Sequence, residues 1–341
     1  MTLSSQHVQT ALVWGAERVG DVVMTIPAMK ILRQHAPHAL VRYVTTHYAR
    51  EVIQLTGLVN EVRLIQFRGG IWNFRRWRQL RKEVREGAYD RIFLLGKVTK
   101  FREKMGTVQG AASIGTDKPP HKAARGAEAV LRGLGVEGAS IPSPQVDVPQ
   151  DPALTREFLD WGLDILRDNY VVVHTGCNRL MRRSVRAERP DKTWPPQKYT
   201  LLLTALARAH PDMQILLVGS REESPWIQRG IVNTLPSTVK MLNLSGRTSI
   251  HGLLQALQCA RLLLCGDSGV MHLATMVGAP MVALFGPTDE NRTGPFQMGE
   301  RALILRAMPV TEARKDPACM DKIGVKVVMQ AIERQLHAFP R

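Results

Sequence analysis

The stretch Leu262–Pro295, LLLCGDSGVMHLATMVGAPMVALFGPTDENRTGP, decides the fold. It opens on an apolar run, Leu262 to Cys265, short and dense enough for a buried parallel strand. Gly266-Asp267-Ser268-Gly269 then makes a tight turn, and Val270 to Met276 carries a helical pattern. A second apolar run, Pro280 to Phe285, ends in Gly286-Pro287-Thr288. Strand, glycine turn, helix and strand predict a β-α-β unit whose polar residues gather at the carboxyl end of its first strand. In open α/β sheets, ligands bind there. The helix start adds free backbone N–H groups and the positive end of a dipole, which suit a phosphate. His272 lies about one turn into the helix, within reach of the same ligand.

Working outward, the same alternation fills the chain. Strands are predicted at 11–14, 40–44, 61–65, 89–95 and 111–114, with helices at 22–32, 47–55, 71–86 and 122–134. Gly138 to Pro152 is rich in Pro, Ser and Gly and reads as a linker. Beyond it come helices at 154–167, 196–209, 223–233 and 250–258, strands at 170–174, 213–218 and 239–242, the opening unit, and an amphipathic helix at 323–336. Strands alternating with helices mean a parallel α/β sheet. The expected architecture is two Rossmann-like domains, 1–150 and 151–322, with parallel sheets facing across a cleft and a closing helical segment, 323–341.

With 44% hydrophobic and 22% charged residues the chain can bury real cores. No apolar run approaches the ~20 residues of a membrane-spanning helix. The amino terminus has no basic segment ahead of its apolar part, so a secretory signal is not expected. Four cysteines without C-x-x-C spacing predict reduced packing thiols in a cytoplasmic protein, and no zinc site. The net charge is +16, with 13 basic and 4 acidic residues between Arg63 and Lys104. Such a surface attracts nucleic acid, anionic membrane or a phosphorylated substrate. No nucleic-acid motif accompanies the charge, so a nucleic-acid partner is not expected. Within that segment Ile71, Phe74, Trp77, Leu80 and Val84 recur at helical spacing among arginines. Such a pattern is most often a core-packed helix with a solvated basic face. Trp72, Phe74 and Trp77 among arginines also fit an interfacial membrane helix, and the two combine if the helix packs on the sheet with its edge toward a membrane.

Further motifs line up along the second half. His174-Thr175-Gly176 ends a strand, and Asp191-Lys192-Thr193-Trp194-Pro195 opens a helix. Val218-Gly219 precedes Glu222-Glu223, and Leu244-Ser245-Gly246-Arg247-Thr248-Ser249 follows. Asp267-Ser268-Gly269-x-x-His272 and Phe285-Gly286-Pro287-Thr288 complete the order. In the first half, Val19-Gly20-Asp21-Val22-Val23 is followed by Ile26-Pro27-Ala28. This succession resembles glycosyltransferase family 9, the ADP-heptose:lipopolysaccharide heptosyltransferases, over nearly the whole chain.

The resemblance implies a GT-B fold and inverting, metal-independent transfer of a heptose from ADP-heptose to an acceptor sugar of lipid A or the inner core. It makes Asp21 the catalytic carboxylate, the base for the acceptor hydroxyl, where a helix-start aspartate is otherwise a cap. It assigns Lys192 to the donor phosphates, where lysine is otherwise a solvated charge. Gly176, Asp267, Ser268, Gly269 and His272 match donor-site residues. Glu222 matches a residue that holds the nucleoside, with Glu223 as the alternative, and Thr248 lies where the family contacts the nucleotide. Arg18, Gly20 and Asp21 would meet the acceptor. The partners implied are a nucleotide-sugar donor and an anionic glycolipid, met by a cytoplasmic enzyme held peripherally on the inner membrane of a Gram-negative bacterium.

Two stretches depart from the family pattern. The approach to Gly20-Asp21 is Trp14-Gly15-Ala16-Glu17-Arg18, which sets a second carboxylate beside the expected base. The segment from His174 to Lys192 is long and carries Arg179, Arg182, Arg183, Arg186 and Arg189. It reads as a flap that orders over phosphates or as a plain surface loop. Two other functions stay open: the same fold with another nucleotide-sugar or a different surface-glycan or protein acceptor, and a catalytically silent glycolipid-binding protein.

Overall fold

A computed structural model describes residues 8–65, 71–106, 108, 111–113, 121–176 and 192–340, with side chains except at 71–73 and 113. The arginine-rich segment 177–191 lies outside the described residues, as do Trp72's side chain and Cys177. The chain divides into two compact units, Met1–Asp147 and Val148–Arg341, so the boundary falls inside the Pro/Ser/Gly-rich stretch.

The first unit is built on a parallel sheet of β1 (Thr10–Trp14), β2 (Leu40–Thr45), β3 (Glu61–Leu64), β4 (Arg91–Leu94) and β5 (Ala112–Ser113). Its order is β3-β2-β1-β4-β5. The chain winds outward from β1 in one direction, then returns to β4 on its other side, so the switch point lies between β1 and β4. The strand ends approach so closely there that a Cβ on Gly96 would sit 2.0 Å from the Gly15 carbonyl oxygen. Below that edge Trp14 packs against Trp77 and Phe101, ring centroids 5.7 and 5.4 Å away. Trp77 comes from the helix Ile71–Arg85 and is buried, as is Leu80, so this helix is core-packed. Of the aromatics proposed for a membrane interface, Trp77 is therefore excluded and Phe74 is exposed. On the other face, the helix Lys122–Leu134 lies along the helix Ile26–His35. Its buried Ala123, Ala124, Gly126 and Ala127 allow the close approach.

The second unit holds β6 (Tyr170–His174), β7 (Gln214–Val218), β8 (Met241–Asn243), β9 (Leu262–Gly266), β10 (Met281–Phe285) and β11 (Ala302–Arg306). All neighbours are parallel, in the order β11-β10-β9-β6-β7-β8. Renumbered within the unit this is 3-2-1-4-5-6, the Rossmann order, with its switch point between β6 and β9. The closing helix, Val325–Ala338, packs on the helix Pro196–Ala209 and on β9 to β11. Val328, Ala331, Ile332 and Leu336 of that helix are buried in the second unit's core, where full burial of a large aliphatic side chain contributes about 1.5–3 kcal/mol.

Several sequence expectations need revision: the helix expected at 22–32 is two, Val19–Val23 and Ile26–His35, and the helix Val98–Met105 was not foreseen. The helix expected at 154–167 spans Pro152–Asp160 and stops because Gly162 adopts φ +86°, a left-handed conformation that ends helices. The edge strand β11 was not foreseen, since ALILR is brief, half-buried throughout, preceded by Arg301 and ended by Arg306. Among the described residues no helix is long and apolar enough to cross a membrane.

Candidate functional site

Each unit has polar residues at its switch point. In the second unit, β9 ends at Gly266, and Asp267 and Ser268 turn into the helix Gly269–Val277. Ser268 is extended at the helix start and makes no side-chain cap, while Gly269 is exposed, so the first turn's N–H groups are open to a ligand. Lys192 reaches this turn from the segment before the helix Pro196–Ala209. Its position follows from Trp194, wholly buried, whose indole N–H donates to the Ile323 carbonyl at 3.0 Å and whose ring meets Tyr199 edge-on. Lys192 Nζ then stands 2.5 Å from Asp267 Oδ2. Burial pushes the Asp267 carboxyl up, but the adjacent Lys192 ammonium, with a smaller contribution from His272, holds it below the usual carboxylate range. His272 is buried on the same helix.

Across the switch point, β6 delivers His174, Thr175 and Gly176. Glu223 is buried with its Oε2 accepting the Ser220 N–H at 2.8 Å and lying 3.5 Å from His174 Nε2. Its pKa falls to about 2: burial opposes the charge, and the His174 imidazole and the Ser220 N–H outweigh burial. Gly176 is required by this arrangement, because a Cβ there would sit 2.1 Å from Glu223 Oε1. Glu222, by contrast, is exposed. Of the two carboxylates offered for the nucleoside, only Glu223 is buried at the strand edge, because successive residues at a helix start point about 100° apart. Thr248 is half-buried, at the end of a turn folded over β7 by the Leu244 N–H to Leu217 and Gly246 N–H to Gly219 hydrogen bonds.

Three buried polar atoms converge on this edge with no hydrogen-bond partner among the described residues: His174 Nδ1, Thr175 Oγ1 and Ser268 Oγ. Buried polar atoms are nearly always paired, so unpaired ones at the carboxyl ends of neighbouring strands mark a place for a polar ligand. Below it, Arg306 of β11 was missed by the sequence reading. Its guanidinium donates to the Gly286 and Thr288 carbonyls and pairs with Glu290 at 2.5 Å, fixing the loop after β10. Nothing in the sequence distinguishes it from the surface arginines, because its partners are mostly main-chain carbonyls.

In the first unit, the loop after β1 carries Glu17, Arg18, Gly20 and Asp21. Arg18 is exposed, Gly20 buried and Asp21 half-buried in the short helix Val19–Val23. Asp21 Oδ1 faces Lys122 Nζ at 3.2 Å, and both Glu17 carboxylate oxygens accept from Lys100 Nζ at 2.8 Å. Neither lysine was anticipated, since each comes from a helix over 80 residues away in sequence. Among the described residues, no group of three His, Cys, Asp or Glu is arranged to hold a metal ion.

Two doubly wound parallel units with polar switch points define a protein of the GT-B fold, the architecture of nucleotide-sugar glycosyltransferases. A solved structure, the "E. coli ADP-heptose lps heptosyltransferase II", has the same fold: TM-score 0.77 at 19% identity, covering 97% of this chain and 99% of that one. The model of "Glycosyltransferase family 9 (heptosyltransferase)" matches residues 77–323, and the chain belongs to that family. Lipooligosaccharide heptosyltransferase 2 of Haemophilus influenzae is 30% identical over 119 residues, which span 34% of this chain and 33% of that protein. Lipopolysaccharide heptosyltransferase 2 of Salmonella typhimurium is 25% identical over 318 residues, 86% of this chain and 87% of that protein.

Proposed function

We propose that the protein is an inverting heptosyltransferase that moves a heptose from ADP-heptose to an acceptor sugar of the lipopolysaccharide inner core. The observation that carries this reading is the cluster of unpaired buried polar atoms beside Lys192 and the open start of the helix Gly269–Val277, in a member of family 9. The second unit would bind the donor. Lys192 and the helix N–H groups meet the diphosphate, Asp267 and His272 take sugar hydroxyls, and Glu223, with Thr248 nearby, holds the nucleoside. The first unit would bind the anionic glycolipid through the Arg18–Asp21 loop.

In the reaction, the acceptor hydroxyl oxygen attacks the anomeric carbon from the face opposite the diphosphate. The new C–O bond forms as the bond to the leaving phosphate oxygen breaks, its electron pair leaving with ADP. The hydroxyl proton passes to an Asp21 carboxylate oxygen. Lys122 holds that carboxylate in place, 3.2 Å away. Charge developing on ADP is met by Lys192 and the helix start. These are the groups that a metal serves in other phosphate sites, so transfer is expected to persist in excess chelator. The acceptor is lipid-borne, so the enzyme would work in the cytoplasm, held peripherally at the inner membrane.

Purified protein heated with ADP-, GDP-, UDP- and TDP-sugars tests the donor. A rise in melting temperature confined to ADP-sugars supports the reading, and no shift with any of them overturns it. Asp21→Ala is expected to lower transfer by about 10²–10⁴-fold while leaving donor affinity intact. Loss of donor affinity in that variant would move Asp21 to the nucleotide.

A further inference from the structure

One corner of the first unit carries none of the residues assigned to that chemistry. After β2 the chain makes a short 3-10 turn, His47–Ala49, on which Tyr48 stands 81% exposed. The helix that follows β3 carries Phe74 in its first turn, 69% exposed. Parallel strands put both at the carboxyl edge of the sheet. Two residues beyond each of them in sequence, Arg50 and Arg76 join Arg63 in lining a groove of about 310 Å³ over Leu64 and Ile65.

The three arginines differ in their charge balance. Arg63 is neutralised by Glu61 at 2.5 Å and Glu83 at 3.4 Å. Arg50 meets, among the described residues, only the Gln54 side-chain oxygen and Arg76 only the Leu64 carbonyl. Among the described residues no carboxylate lies within ion-pair distance of either. Arg75, Arg78, Lys82 and Arg85 continue the basic surface along the helix. Two exposed aromatic rings in the same corner as uncompensated guanidinium groups match an anionic, amphipathic surface, with apolar depth for the rings and phosphates for the arginines.

We propose that this corner docks the protein on an anionic lipid bilayer, with Tyr48 and Phe74 entering the headgroup layer and Arg50 and Arg76 meeting lipid phosphates. The proposal deepens the reading of a lipid-borne acceptor, on which it rests, by naming the surface that brings the enzyme to the membrane. Trp77 has no part in it, being held in the core.

Co-sedimentation with vesicles of phosphatidylcholine, with and without phosphatidylglycerol, tests the proposal. Wild-type protein is expected to bind only the phosphatidylglycerol vesicles. Arg50→Gln with Arg76→Gln lowers the partition coefficient about thirtyfold, about fivefold for each charge at an anionic leaflet. Tyr48→Ser with Phe74→Ser lowers it about tenfold or more, including in high salt, where charge is screened. All four side chains project from the fold, so melting temperatures stay unchanged, and so does the melting-temperature rise produced by ADP. Equal binding to both vesicle types, or unaltered binding by both double variants, overturns the proposal. Displacement from vesicles by millimolar glycerol phosphate also overturns it and reassigns the groove to soluble phosphorylated saccharides. Vesicle binding as expected without any nucleotide-induced shift keeps the docking surface and removes the donor reading.

Discussion

Glu222 and Glu223 are neighbours in sequence, yet only one is held by the fold, and exchanging each for glutamine separates them. Glu223 is depressed from an ordinary 4.5 to about 2. At about 1.4 kcal/mol per unit, that difference corresponds to about 3 kcal/mol of folding free energy. The sign follows from the direction. A carboxylate depressed in the folded state stabilises it fully above its unfolded value, and loses the effect as pH falls toward about 2. Glu223→Gln keeps an oxygen to accept the Ser220 N–H but removes the charge facing His174. At neutral pH the second unit's unfolding, followed by calorimetry, should therefore drop by roughly 6–12 °C. By pH 3 less than half of that gap should remain, because below 4.5 the unfolded chain's carboxylate takes up its proton while the folded one stays charged. Glu222→Gln, a change in solvent, should stay within about 0.5 kcal/mol of wild type. A gap for Glu223→Gln that is constant from pH 7 to pH 3 would refute the reasoning, as would equal effects of the two exchanges.

Two further substitutions probe the walls of the second unit's site. Lys192→Met should weaken ADP by about 10–100-fold in titration calorimetry while leaving adenosine affinity unchanged, since a charge-assisted hydrogen bond contributes about 1.5–3 kcal/mol; equal losses for both ligands would place Lys192 away from the phosphates. Arg306→Met strands the Gly286 and Thr288 carbonyls and the Glu290 carboxylate, and should cost about 3 kcal/mol or more in urea unfolding. Arg306→Lys should recover less than half of that loss, because an ammonium cannot span three acceptors in a plane as a guanidinium does.

The fold was legible because the apolar runs are short, dense and separated by glycine turns. Leu262 to Gly266 and Tyr170 to His174 are buried at every position, which produces the unbroken hydrophobic run of a parallel strand. β11 escaped because it is an edge strand with every residue half-buried. Asp267 and His272 could be singled out because chain order along one β-α-β unit carries them to a strand end and the helix after it, whereas Asp21 and Lys192 were singled out by the family resemblance. Their partners could not. Lys122, Lys100 and Arg306 reach the sites from elements distant in sequence, and pairings of that kind depend on helix packing. Glu222 against Glu223 was ambiguous for a similar reason: one residue's rotation at a helix start decides which carboxylate is buried.

The Lys192–Asp267 pair bears on what the donor must be. Both side chains are mostly buried, 20% and 11% exposed, so neither is comfortable alone. A diphosphate arriving at Lys192 would face the Asp267 carboxylate at close range, and like charges in a site of reduced dielectric repel by several kcal/mol. A sugar attached to that diphosphate relieves the repulsion if its hydroxyls donate to Asp267. On this argument the carboxylate discriminates against bare nucleotide and in favour of the sugar-bearing form. Asp267→Asn removes the repulsion and weakens the acceptor for hydroxyls. It should therefore bind ADP more tightly than wild type, and lose about tenfold of the preference for an ADP-sugar over ADP, the equivalent of about 1.4 kcal/mol. Calorimetric titration of both ligands into both proteins reads the four affinities. If Asp267→Asn weakens ADP and the ADP-sugar alike, the carboxylate serves only to position Lys192, and the discrimination lies elsewhere.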